Sequence, residues 1–167
     1  MNNLEQQVKA IRNAISTAID VPLNGACLYH AMFVKLLLDV PVVAGSMAWR
    51  YTTTDNGSND THFGYQFFQD EFIKWNKEKA TNLPEIHIWN TYNNLVLDLS
   101  TIYLPKQLKL MLGHDWDIGL IPPEYYFGIE SNKHCLYKPD PIATQFANNT
   151  IDNIIKEHGI IVIKEEK

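Results

Sequence analysis

Only two cysteines, Cys27 and Cys135, occur in this chain, too few and too far apart for a disulfide framework. Long apolar runs are missing as well. No stretch approaches the ~20 consecutive apolar residues that a membrane-spanning helix requires. Glu5, Gln6, Gln7, Lys9 and Arg12 interrupt the N-terminal segment, which therefore does not read as a secretory leader. Positive charge is scarce: 14 Lys and Arg stand against 19 Asp and Glu, a net charge of −5 that argues against broad contact with phosphate backbones. The densest basic cluster, Lys74, Lys77 and Lys79, is diluted by Glu71 and Glu78 and reads as a solvated face. Internal repeats, low-complexity tracts and linkers are not seen. These absences lead to the expectation of a cytoplasmic chain with free thiols and no membrane or nucleic-acid partner. No cofactor or metal motif is read, and the sequence is silent on oligomeric state.

What is there is a globular composition, 46% apolar and 20% charged. At 167 residues the chain can bury one sizeable core, so residues 1–167 are read as a single domain. Leu4, Val8, Ile11, Ile15 and Ile19 recur at steps of three and four, one face of an amphipathic helix ending near Pro22. Residues 26–38 read as a second helix, apolar nearly all round and so central, stopped by Asp39 and Pro41. From Val42 to Tyr51 the period becomes that of a strand, with Gly45 marking a bulge or close backbone approach. A loop is expected over Thr52–Asp60, and strand signal returns from His62 to Phe68. Asp70–Lys79 reads as a helix or ordered loop, and Ile86–Tyr92 and Leu95–Leu99 as strands. Beyond these, Pro105–Leu112 reads as a short helix and Gly113–Pro123 as a loop. Short strands are expected at Glu124–Ile129, His134–Tyr137 and Ile160–Ile163, and a helix over Ile151–His158 with Gly159 as its stop.

Cys27 lies in Asn24-Gly25-Ala26-Cys27-Leu28-Tyr29-His30-Ala31, where a polar stretch turns into a helix. A thiol is a nucleophile only as its thiolate, and a helix N-terminus favours negative charge. Sixty positions further on comes His87, followed by Asp98. A nucleophile, a base and an orienting carboxylate are the parts of a catalytic triad.

The Asn93-Asn94 pair allows a geometric test. A two-residue type I′ hairpin loop needs positive φ at both positions, which Asn tolerates. Tyr92 then pairs with Leu95, Trp89 lies opposite Asp98, and His87 is the diagonal neighbour of Asp98, about 7–8 Å away. His87, Trp89 and Asp98 share one face, while Ile86, Ile88, Leu97 and Leu99 form an apolar layer on the other. A slip of one residue would separate His87 from Asp98. In these roles Cys27 is the nucleophile, His87 the base and Asp98 its orienting partner. The Cys27 backbone N–H is one oxyanion donor, with Asn24 or Trp89 as candidate helpers.

These segments resemble the transglutaminase-like, papain-related superfamily. Gly25-Ala26-Cys27, the long apolar helix and Val40-Pro41-Val42-Val43-Ala44-Gly45 resemble its nucleophile helix and following strand. Pro84-Glu85-Ile86-His87-Ile88-Trp89 resembles its histidine strand, and Leu97-Asp98-Leu99-Ser100 its acidic strand. The resemblance covers about residues 20–100. It implies an α+β fold with the nucleophile helix packed against an antiparallel sheet. It also implies a cysteine-dependent peptidase, amidase or acyltransferase working through a thioester on a peptide or amide substrate. The turn between His87 and Asp98 is short, and the C-terminal third matches nothing in the family.

Other readings compete. His30, three residues after Cys27, is an alternative base. His134 and Cys135 with His114 or His62 make a poor zinc signature, since adjacent ligands lack a second spaced pair. Trp116, Tyr125, Tyr126 and Phe127 are candidates for a substrate cleft or for ordinary packing. A non-catalytic binding module retaining the same fold is the alternative to an enzyme.

Overall fold

The computed structural model describes residues 3–23, 25–51, 62–78, 85–116 and 123–159. The fold is α+β. Helix α1 spans Asn3–Ala18, and its predicted stripe of Leu4, Val8, Ile11 and Ile15 is buried. Helix α2 runs from Ala26 to Leu38, the bounds expected from sequence, and ends at Asp39 in the left-handed conformation. Strand β1 (Val42–Arg50) is followed by β2 (His62–Tyr65) and α3 (Gln69–Glu78). The hairpin β3 (His87–Tyr92) and β4 (Leu95–Asp98) leads through a 3-10 turn, Thr101–Tyr103, into α4 (Leu104–Leu112). Strands β5 (Tyr126–Gly128) and β6 (Cys135–Pro139) precede α5 (Pro141–His158). The expected loop at 52–60 and the expected strand at 160–163 lie outside the described residues.

Every pairing in the sheet is antiparallel, and β1 is its centre. Gly45 pairs with both His87 and Pro139, and Met47 with both Tyr65 and Tyr137. A residue paired twice has its partners on opposite edges, so β3 and β2 lie end to end along one edge of β1 and β6 along the other. Tyr65 closes β2 where His87 opens β3, leaving a parting in the sheet opposite Ser46. At Gly45 a Cβ would stand 2.1 Å from the Lys138 carbonyl oxygen, so the close backbone approach read from sequence brings β6 onto β1.

Two cores occupy the two faces. Helices α1, α2 and α5 cover one, packing Ile11, Met32 and Ala147 against Val42, Ala44, Ile88, Leu97 and Leu99. The opposite face, with α4 over it, holds Met47, Trp49, Trp89, Val96, Leu108 and Tyr137. The apolar layer expected on the hairpin is therefore present, and the face carrying His87 is also buried.

Several elements differ from the expectation. Phe67 and Phe68 fall after β2 rather than within it. Helix α5 begins ten residues earlier than expected. Asp140 caps it, accepting from the Ile142 and Ala143 N–H groups, and Pro141 takes its first position. Its inner face is Ala143, Ala147 and Ile151, small enough to lie close to the sheet. Thr144 and Asn148 from that helix bond the backbone of Ala44 and Val42 where β6 ends, and the Asp140 N–H also reaches the Ala44 carbonyl.

Candidate active site

Asn93 and Asn94 have φ of 51° and 64°, and Tyr92 pairs with Leu95, as the hairpin reading required. The register brings His87 and Asp98 together: Nε2 of His87 lies 2.7 Å from Oδ2 of Asp98, both side chains buried. Three further donors hold the carboxylate. Ser100 donates to Oδ1 from its N–H at 2.9 Å and from its hydroxyl at 2.6 Å. The Tyr137 hydroxyl donates to Oδ2 at 2.7 Å, and the Trp49 indole donates in turn to Tyr137 at 3.1 Å.

Burial alone would raise the Asp98 carboxyl pKa, but the His87 charge and these hydrogen bonds bring it down to about 2. Burial alone would likewise depress the imidazole. The Asp98 charge and hydrogen bond, with a further contribution from Cys27, raise it to about 10. Both shifts favour the imidazolium and carboxylate forms of the pair. The ring is clamped between Tyr65, nearly parallel at 5.7 Å, and Trp89 at 5.9 Å. Burial, then the Cys27 and Glu85 charges, pushes the Tyr65 phenol up to about 12, so it stays neutral.

His87 Nδ1 has no hydrogen-bond partner among the described residues. It is the nitrogen left for Cys27, whose thiol raises the ring pKa through hydrogen bonding and through its charge, although the pair falls outside ideal hydrogen-bond geometry. The half-buried Cys27 sits in the first turn of α2, after Gly25 at φ 102°, a conformation that favours glycine. Gly25 offers no side-chain cap, so the N–H groups of this turn lack the usual capping acceptor.

The approach of Cys27 to His87 crosses the sheet. Helix α2 packs on the face of Ile88, whereas His87, the neighbouring strand residue, points to the other. They meet at the parting between β2 and β3, in a cavity of about 360 Å³ lined by both. Its walls draw on the helix layer, with Leu28, Ile86 and Phe146, and on the other side, with Tyr65, Ser100, Gln107 and Met111.

Other sequence candidates are placed elsewhere. Trp89 is buried behind the imidazole and does not line the cavity, so it is packing rather than an oxyanion donor. Asn24 lies outside the described residues. His30 is buried, its Nδ1 2.8 Å from the Ala26 carbonyl oxygen, and its pKa is lowered by burial. It faces a cavity beside Arg12 and Tyr103, away from Cys27. Tyr126 stacks on Tyr137, Phe127 meets Tyr92, Trp116 meets Tyr51, and Tyr125 packs against the helix-side core. None of these four lines the Cys27 cavity. His114 bonds Tyr51, and no group of three or more potential metal ligands forms among the described residues. Lys74 and Lys77 are exposed on α3, while Lys79 is outside the described residues.

Sequence reasoning missed Tyr137, Tyr65 and Gln107. The first two arrive through strand pairings distant in sequence, which leave no local signal. Gln107 had one: it is polar on the buried face of α4, beside Leu104 and Leu108. Its Nε2 donates to the Leu23 carbonyl at 3.0 Å, tying α4 to the segment before Cys27.

No helix among the described residues is long and apolar enough to cross a membrane. Comparisons with family models, curated proteins and solved structures found no match to this chain.

Proposed function

We propose that this protein is a cysteine-dependent hydrolase or acyltransferase that cleaves an amide or peptide bond through a thioester on Cys27, with a transglutaminase-like arrangement of its site. The observation that carries this reading is His87, bonded through Nε2 to a buried carboxylate while its Nδ1 remains for the thiol in the same cavity. A structural histidine buried among aromatics has no need of a carboxylate with four donors, nor of a cysteine at the wall of an open cavity.

In the proposed reaction the Cys27 sulfur attacks the carbonyl carbon. The oxygen takes the negative charge, and the Cys27 N–H donates to it. His87 then gives its Nδ1 proton to the leaving amine as the C–N bond breaks, yielding the thioester. In the second half His87 accepts a proton from water or an acceptor amine, which attacks the thioester and releases the sulfur. Asp98 fixes the ring and stabilises its cation throughout. Two free thiols fit a reducing compartment such as the cytoplasm.

Activity-based labelling tests the proposal. An acyl-electrophile probe is expected to modify wild-type protein at Cys27 and to leave Cys27→Ala unmodified. Absence of any acyl adduct across a panel of esters and amides would favour a binding module that keeps the fold without the chemistry.

A further inference from the structure

The Cys27 cavity adjoins a larger chamber of about 600 Å³, and the two share Tyr65 and Glu85. A ligand reaching from the thiol into the second chamber passes both. Apart from the His87 imidazole, already balanced by Asp98, and the Cys27 thiol itself, Glu85 is the only ionisable acid or base of the Asp, Glu, Lys, Arg or His type among the described residues in the wall of the Cys27 cavity. The Gln66 N–H donates to its Oε2 at 3.0 Å, fixing the carboxylate at the junction. No lysine or arginine among the described residues forms an ion pair with it; Lys35 and Lys109 pair elsewhere, with Asp152 and Asp115.

The other charges nearby point the same way. Asp140, in the second chamber, has its oxygens taken by the Ile142 and Ala143 N–H groups and by Gln69. Lys138, in the same chamber, disfavours a cation beyond the junction. Leu28, Ile86 and Met111 in the Cys27 cavity offer apolar surface for the stem of a long charged side chain.

Resting on the reading of Cys27 given above, we propose that Glu85 selects substrates carrying an ammonium or guanidinium group on an apolar stem, held at the junction of the two chambers while the carbonyl lies at Cys27. The substrate class is then a basic amide, not a neutral or acidic one.

Thiol-reactive methanethiosulfonate probes of different charge test this directly. Wild-type protein, Glu85→Gln and Glu85→Lys are treated with the trimethylammonioethyl, methyl and sulfonatoethyl methanethiosulfonates, and Cys27 modification is timed by peptide mass. The small neutral reagent normalises for changes in the reactivity of the thiol. In wild-type protein the cationic reagent is expected to outpace the anionic one by roughly tenfold more than it does with free N-acetylcysteine, the scale of one nearby partly screened charge. Glu85→Gln, which retains an acceptor for Gln66, removes most of that preference, and Glu85→Lys inverts it. A preference equal to that of N-acetylcysteine, or one unchanged in Glu85→Gln, overturns the proposal. The neutral reagent's rate reports on the thiol itself, so failure of the triad and failure of charge selection give different results.

Discussion

His87 and Asp98, eleven residues apart across a two-residue turn, form a buried ion pair with Nε2 and Oδ2 2.7 Å apart. The Asp98 charge and hydrogen bond favour the cationic form of the ring, and its other nitrogen is the one left for Cys27.

The first prediction concerns the charge state of the ring. With the His87 pKa raised to about 10, its imidazole signals in a nitrogen-detected NMR titration are expected to stay in the charged form between pH 5 and 8. The sign for stability follows. A folded-state pKa above the unfolded value of about 6.5 contributes stability that is complete below that value and is lost as pH rises through about 10. Asp98, lowered to about 2, acts oppositely: its contribution is present above the ordinary carboxylate range and is lost as pH falls through about 2. A His87 signal titrating near 6.5 would contradict the coupled pair.

Asp98→Asn keeps the shape and removes the charge. The buried imidazole then faces desolvation without its counter-ion, so its pKa should fall below that of a solvated histidine. Iodoacetamide alkylation of Cys27 at pH 7 is expected to slow at least about tenfold. Unfolding by denaturant should show a loss of roughly 2–4 kcal/mol, as when one partner of a buried pair is removed.

Tyr137→Phe tests the outer support. It deletes one donor to Asp98 and leaves the Trp49 indole N–H without its acceptor. A stability loss of about 1–3 kcal/mol is expected from thermal or denaturant unfolding. Ser100 and His87 still hold the carboxylate, so Cys27 alkylation should slow less than in Asp98→Asn.

Gly25→Ala tests the entry into α2, which carries the proposed nucleophile. An added Cβ meets nothing within 4 Å, so the penalty is purely that of φ 102° for a residue with a side chain. About 1–2 kcal/mol of destabilisation is expected in a melting experiment, with altered Cys27 reactivity as the first turn shifts. An unchanged melting temperature would contradict this use of glycine.

The core of the site was legible because its information is local. Asn93-Asn94 dictates a turn type, the turn dictates a register, and the register brings His87 to Asp98. Helix α2 was equally plain, since an apolar run with Asp39 and Pro41 behind it has one natural reading. Tyr137 was invisible because β6 returns to β1 from some ninety residues away, and no spacing encodes that pairing. The first half of α5 was hidden by its own packing: a face of Ala143 and Ala147 lies close to the sheet yet carries little hydrophobic signal. Trp89 was misjudged because sharing a face with His87 places a residue beside the ring, which here means behind it.

The proposed thiolate–imidazolium pair is tested most directly by the relative alkylation of the two cysteines in folded protein. Cys135 is buried and its thiol pKa is raised, first by that burial, which makes it an internal reference. Timed iodoacetamide treatment at neutral pH, read by peptide mass, is expected to modify Cys27 at least about tenfold faster than Cys135, an advantage that His87→Gln removes. Equal rates at the two cysteines, or a Cys27 rate indifferent to His87→Gln, would contradict it.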